Sequence, residues 1–273
     1  MPGRAAAASP LIVITVADPA RADDPDLATR KNELYAAGIA RHGGKPALLH
    51  TGTPPAERDR LLAAMDGLLL GGGADIDPAL YGETVSGAVE VDPTRDELER
   101  SAWLEAERRS LPVFGICRGF QAINVFAGGK LLQDVPDHAG TPYGQGPAHT
   151  HDLEIEPGSR LGRAVAGASP DGLAAEDADD AALQLQVNSF HHQAICLEAL
   201  APGLRPSAWA YSEAGRLVEG LESREGRWIA GLQCHPERTE STPEELDGIW
   251  SDFVVAALAA ASVARTRRAA PAR

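Results

Sequence analysis

Positive charge is in short supply in this chain. Only 25 Lys and Arg stand against 39 Asp and Glu, leaving a formal net charge of −14 over 273 residues. A surface of that sign repels phosphate, which argues against a nucleic-acid partner and against docking on an anionic membrane. Cysteine is scarcer still. Cys117, Cys196 and Cys234 stand far apart with no C-x-x-C pair, so the pattern suggests neither a disulfide framework nor a structural zinc site. A reducing, cytoplasmic setting fits that usage best. No apolar run approaches the ~20 residues of a membrane span. The early run "LIVITVA" is short and β-branched, and reads as a first buried strand rather than the core of a secretory signal.

What is present is an alternation of short apolar runs and helical stretches, the mark of βα units. "LIVITVA", "PALLH", "DGLLLGGG" and "LPVFGI" read as strands. Between them lie helical stretches from about residue 29 to 42, "PAERDRLLAAM", and the charged surface helix "DPTRDELERSAWLEAERRS". "RPSAWAYS", "LVEGLES" and "RWIAGLQ" follow as strands with short turns. Residues 134–180 are rich in Gly, Pro, Ala and Asp and are the least readable part, with one strand at "HDLEIE". A last helix is expected to start with Thr242 as cap, Pro243 in the first position and Glu245 completing a capping box. The expectation is an α/β protein: a three-layer, open, mostly parallel sheet with helices on both faces. Residues 1–9 form a loose leader, 10–262 one domain, and 263–273 a basic tail.

Within "LPVFGICRGFQAINVFAGGK" a cysteine sits where a strand turns into a helix. Gly115 and Gly119 flank Cys117 at two residues on either side, as required if strand and helix approach too closely for side chains. A helix N-terminus presents unpaired N–H groups and positive partial charge, which favours a thiolate and can stabilise an oxyanion beside it. The bland alternative is a small buried cysteine in a tight turn.

A thiolate nucleophile profits from a histidine to move protons, and the histidine from a carboxylate. "IAGLQCHPE" ends a strand in His235-Pro236-Glu237. Residues two apart in extended chain project to one side, so Glu237 can orient His235, while Cys234 faces the core. Gly71, Gly72 and Gly73 end another strand, where backbone N–H groups can meet an oxyanion. Taken alone, each of these has a structural reading: a surface histidine in a turn, and a flexible loop.

Together "GGGADIDPALYGE", "FGICRGFQAINVFAGG", "VNSFHHQAI" and "GLQCHPE" resemble the class I glutamine amidotransferase-like superfamily, and within it the γ-glutamyl-γ-aminobutyrate hydrolase group, peptidase family C26. The resemblance implies a flavodoxin-like fold. It also implies a Cys–His–Glu triad of Cys117, His235 and Glu237, with the oxyanion hole formed by the N–H groups of Gly72 and Arg118. Gln121, Asn188, Ser189 and His191 match positions that help hold the glutamyl group. Cys234 departs from the family, in which tryptophan is frequent at that position. The activity implied is hydrolysis of a γ-glutamyl amide through a thioester, on a small-molecule substrate, with neither metal nor organic cofactor. A homo-oligomer is compatible with it.

Three rivals remain. A glutaminase subunit supplying ammonia to a partner synthetase uses the same triad. Arg118 after the nucleophile favours the hydrolase, since most glutaminases of the superfamily carry an apolar residue there. A metal hydrolase could draw on His149 and His151 or on His191 and His192, but their spacing matches no strong zinc signature. A non-enzymatic binding protein fits least, because all three triad members are present. The leaving amine is open: Asp75 and Asp77 favour a cationic one and Arg118 an anionic one, unless the two acids simply cap their own loop.

Overall fold

In the computed structural model, which describes residues 9–135, 138, 147–167 and 183–269, the apolar runs of the N-terminal half become parallel strands. β1 (Leu11–Thr15) lies between β2 (Lys45–Leu49) and β3 (Gly67–Leu70), and β3 pairs with β4 (Val113–Ile116). The last strand in the chain, β10 (Ile229–Leu232), runs parallel to β4 and completes this part. β3, β4 and β10 are buried at every residue, so their sequences do not alternate.

The two-residue period still decides which core each side chain joins. Val13, Leu68, Leu70 and Val113 pack with α2 (Pro55–Ala64), α3 (Pro93–Arg108) and α4 (Arg118–Phe126). Ile12, Ile14, Leu69, Phe114 and Ile116 pack with α1 (Pro25–Arg41) and α6 (Gly248–Ala269). Helices therefore cover both faces, in three layers.

Beyond β10 the sheet continues through β9 (Gly215–Ser223), β8 (Leu204–Ser212), β5 (His149–Ile155) and β6 (Leu183–Ser189), all antiparallel. The short α5 (Arg160–Val165) follows β5, and the two-residue β7 (Ile195–Cys196) pairs with β9 off the main path. The order is β2-β1-β3-β4-β10-β9-β8-β5-β6. The open α/β sheet expected from the sequence is present, and it is mixed. Connections of a few residues join β8 to β9 and β9 to β10, and a short connection can only reverse the chain.

Three expectations are corrected. Thr242 does not cap the last helix: a 3-10 turn at Glu244–Asp247 intervenes, and the Thr242 hydroxyl instead donates to the His235 carbonyl at 2.8 Å. α6 runs on to Ala269, through part of the segment assigned to a loose tail, as its alanines and arginines favour. α3 is not simply a surface helix, because Arg95, Asp96 and Glu99 are buried. The segment Glu244–Thr266 is long and apolar enough, by length and composition alone, to cross a membrane. Its Ile249, Trp250, Phe253, Val254 and Ala257 nevertheless lie buried in the core. The leader up to residue 8, the end of the tail from 270, and most of residues 136–182 outside β5 and α5 lie outside the described residues.

Candidate active site

β3, β4 and β10 are parallel neighbours, so the residues that follow them emerge at one edge of the sheet. Gly72 follows β3, Cys117 follows β4 and His235 follows β10 by three residues. The Cys117 N–H extends the ladder to the Leu232 carbonyl at 2.8 Å. Cys117 then turns into α4 with φ 53° and ψ −109°, a region that costs a non-glycine residue about 1–3 kcal/mol and persists only where the surroundings impose it.

The surroundings here are two glycines. A Cβ on Gly119 would lie 1.9 Å from the Leu70 carbonyl oxygen, and one on Gly115 would lie 2.5 Å from the Gly119 oxygen. Strand and helix touch backbone to backbone, as the G-x-C-x-G spacing requires. Gly72 is confined in the same way. A Cβ there would meet Tyr35 Oη at 2.9 Å, His235 Cε1 at 3.0 Å and Cys117 Cβ at 3.6 Å.

His235 is buried and its Nδ1 lies 2.6 Å from Glu237 Oε1. A carboxylate accepts, so Nδ1 carries the proton and Nε2 is left to serve the sulfur. Burial alone would lower the pKa of the ring. Glu237, and after it the Cys117 sulfur, more than reverse this and raise it to about 9. The imidazolium is therefore the form present below about pH 9 and is lost above it. Following the His235 ring protons by NMR against pH should show a midpoint near that value, and in Glu237→Gln the midpoint should move down. An unperturbed midpoint in the wild type would show that the carboxylate does not act on the ring.

Asn188 holds this strand end in place. Its Oδ1 accepts from the His235 N–H at 2.8 Å, and its Nδ2 donates to the His235 carbonyl at 3.1 Å and to Thr242 Oγ1 at 2.6 Å. Asn188 and Ser189 are wholly buried, and the Ser189 hydroxyl donates to the His138 carbonyl at 2.9 Å. Both side chains hydrogen-bond within the protein and shape the site. Gln121 is likewise buried: its Nε2 donates to the Gln193 carbonyl and to Gln233 Oε1, each at 3.0 Å. Gln233 in turn points its Nε2 at Cys117 Sγ, at 3.5 Å. His191 is buried with Nδ1 on the Gln193 carbonyl, away from open solvent.

Sequence reasoning missed Gln233 and Tyr35. Gln233 immediately precedes the Cys-His-Pro-Glu run, and strand alternation puts it on the same side as His235, a signal that was available. Tyr35 lies on α1, far away in sequence, and carried no signal. Its hydroxyl accepts from the Gly72 N–H at 3.0 Å, occupying the donor expected to face an oxyanion. The Arg118 N–H opens α4 and has no acceptor within the helix.

The Arg118 side chain lies in the core, ion-paired with Asp96 and Glu99. Arg95 completes this network, with Nε 2.9 Å from Glu99 Oε1 and Nη2 on the carbonyls of Gly71 and Gly72 at 3.1 and 2.9 Å. Of the two loop acids, Asp77 caps a 3-10 turn through the Ala79 N–H. Asp75 accepts from the Val89 N–H at 2.7 Å and pairs with His192 Nε2 at 3.0 Å. All three cysteines are free, and Cys234 is buried in the core as expected, its thiol pushed well up by burial.

Known proteins resemble this chain in sequence or in fold. A solved glutaminase domain of CTPS from Trypanosoma brucei, with bound acivicin, superposes with a TM-score of 0.56 at 17% identity, covering 91% of this chain and 94% of that one. That likeness speaks for the fold. Protein NtpR of Enterococcus hirae is 34% identical over 229 residues, 81% of this chain and 86% of its own length. The γ-glutamyl-γ-aminobutyrate hydrolase PuuD of Escherichia coli K12 is 30% identical over 220 residues, 77% of this chain and 79% of its own. The peptidase C26 family model matches residues 10–237, a span that runs from the first strand to Glu237. On the strength of that match the chain belongs to the peptidase C26 family, within the class I glutamine amidotransferase-like superfamily.

Proposed function

We propose that this C26-family protein, a hydrolase of the glutamine-amide type, cleaves the γ-glutamyl amide bond of a small γ-glutamyl amine, releasing glutamate and the amine. The observation that carries the reading is the convergence of Cys117, held at a strained strand-to-helix turn, with a histidine whose partner carboxylate lies 2.6 Å away. The Cys117 sulfur attacks the side-chain carbonyl carbon, while the oxygen gathers charge facing the Arg118 N–H at the start of α4. The Gly72 N–H joins it once it exchanges Tyr35 Oη for the substrate oxygen. The C–N bond breaks, the imidazolium of His235 gives its proton to the departing amine, and a thioester is left on sulfur. Water then adds to the thioester, His235 takes the proton, and glutamate leaves with the thiolate restored. Glu237 holds the ring and its charge throughout.

The leaving group cannot be selected by the Arg118 side chain, which is only 1% exposed. Asp77 caps its own loop, as the local-capping alternative anticipates, whereas Asp75 is engaged with the Val89 N–H and with the distant His192.

A mass-spectrometric panel on the wild-type protein tests the reading, using γ-glutamyl-γ-aminobutyrate, γ-glutamylputrescine, a γ-glutamyl dipeptide and glutamine. The expected result is cleavage of at least one γ-glutamyl amine well above that of glutamine. Cleavage of glutamine alone, or of nothing until a partner protein is added, would sink it in favour of an ammonia-supplying subunit.

A further inference from the structure

The two histidine pairs singled out in the sequence are split by the fold. His149 is exposed on β5, and His192 pairs with Asp75 and with Asp134, whose Oδ1 lies 3.2 Å from its Nδ1. The other member of each pair turns toward β9. There His151 and His191 meet Glu219, together with His138 from the segment before β5. Among the described residues, one donor atom each from His138, His151 and Glu219 lies within 4.8 Å of the others. His151 Nε2 is 3.6 Å from Glu219 Oε2, and His191 Nε2 is 3.8 Å from Oε1. The three imidazole rings stand 4.9, 5.4 and 6.3 Å apart between centroids.

Hydrogen bonding fixes what these groups present to one another. His151 Nδ1 lies 3.1 Å from the Asp152 carbonyl, and His191 Nδ1 lies 3.0 Å from the Gln193 carbonyl. A carbonyl only accepts, so each Nδ1 carries a proton and each Nε2 offers a lone pair. The Glu219 side chain is fully buried, and neither of its oxygens receives a hydrogen bond, nor does either Nε2. Lone pairs from two rings and a carboxylate thus converge in the interior, beside the His138 ring. A buried arrangement of that kind is satisfied by a cation.

We propose that His138, His151, Glu219 and His191 form a binding site for a divalent metal ion of the zinc class. Imidazole and carboxylate ligands are those zinc takes, and N–H groups anchored on backbone carbonyls are the usual outer support of zinc-bound histidines. Ligand atoms around a tetrahedral zinc with bonds of about 2.1 Å lie about 3.4 Å apart, against 3.6 and 3.8 Å from Glu219 to the His151 and His191 rings, so a small inward shift of the side chains closes the site. The ion ties His138 to the interior strands β5 and β9, and the inference stands or falls independently of the hydrolase reading.

The test uses the full chain, stripped with chelator and dialysed. Calorimetric titration with zinc chloride should show one equivalent bound and a rise in thermal midpoint. Cobalt(II) should give the visible bands of a tetrahedral site with no thiolate charge-transfer band. His151→Ala and Glu219→Gln should each weaken zinc binding by at least about 100-fold, while Cys117→Ser should keep it. A wild type that binds no equivalent overturns the proposal, whatever the variants do. So does a cobalt spectrum dominated by a thiolate band that Cys117→Ser removes. If the wild type stays metal-free while Glu219→Gln raises only KM for a γ-glutamyl substrate, the carboxylate belongs to the substrate's ammonium group instead.

Discussion

Cys117→Ala is expected to lower kcat on every γ-glutamyl amide by about 10⁴-fold or more, the usual consequence of removing a covalent nucleophile. The fold should survive, because the sulfur's contacts with Gln233 and His235 belong to the site and not to the core packing, and alanine meets the same backbone strain at φ 53°. Released glutamate measured by mass spectrometry gives the rate, and circular dichroism checks the fold. Rapid quenching of the wild type should trap a glutamyl adduct on Cys117 that the variant cannot form. A folded alanine variant with more than about a hundredth of wild-type turnover would rule out the thioester scheme.

Arg118→Ala is expected to be the most damaging substitution for stability. The guanidinium is buried beneath the nucleophile turn and pairs with Asp96 and Glu99, which are themselves buried. Burial pushes the Asp96 carboxyl up. Glu99 is pushed the same way by burial, but Arg118 and Arg95 bring it below the ordinary range. Without Arg118, Asp96 loses its only ion-pair partner among the described residues, and breaking a buried pair on one side costs about 3–5 kcal/mol. For a chain of this size that corresponds to a fall in Tm of about 10 °C. Arg118→Lys should recover only part of it, since an ammonium cannot reproduce the two-pronged contact. Activity should fall as well, because Arg118 directly follows the nucleophile and shares Glu99 with Arg95, which holds the carbonyls of Gly71 and Gly72. A Tm within about 2 °C of wild type would show that the network does not hold these elements together.

Much of the fold was legible because the periodicity of a buried strand or an amphipathic helix is a local property. The strands of the parallel part, and β8 and β9, lie where their apolar runs predict. β6 and β7 are not among the strands expected from the sequence: "LQLQVNS" alternates apolar and polar residues, a signal that was available, whereas two residues carry no period. The mixed character of the sheet followed from connection lengths, which are visible in the sequence, but the position of β10 between β4 and β9 followed from long-range packing.

The candidate site divides along the same line. Cys117, with its flanking glycines, and His235 with Glu237 could be read from the chain because each group owes its geometry to neighbours within two residues. A turn that tight needs glycine, and alternate residues of an extended segment face one way. The roles of Asn188, Gln121 and the Arg118 side chain could not be read. Each contacts residues far away in sequence, and each is occupied with holding the site's frame. Tyr35 at the Gly72 N–H, the buried Arg95–Glu99–Arg118–Asp96 network and the meeting of His138, His151, His191 and Glu219 exist only once distant segments pack. The sequence by itself determined the α/β class and the local chemistry of nucleophile and base. The tertiary structure alone decided which buried charges and lone pairs face one another, because that is set by the packing of strands and helices and not by spacing along the chain.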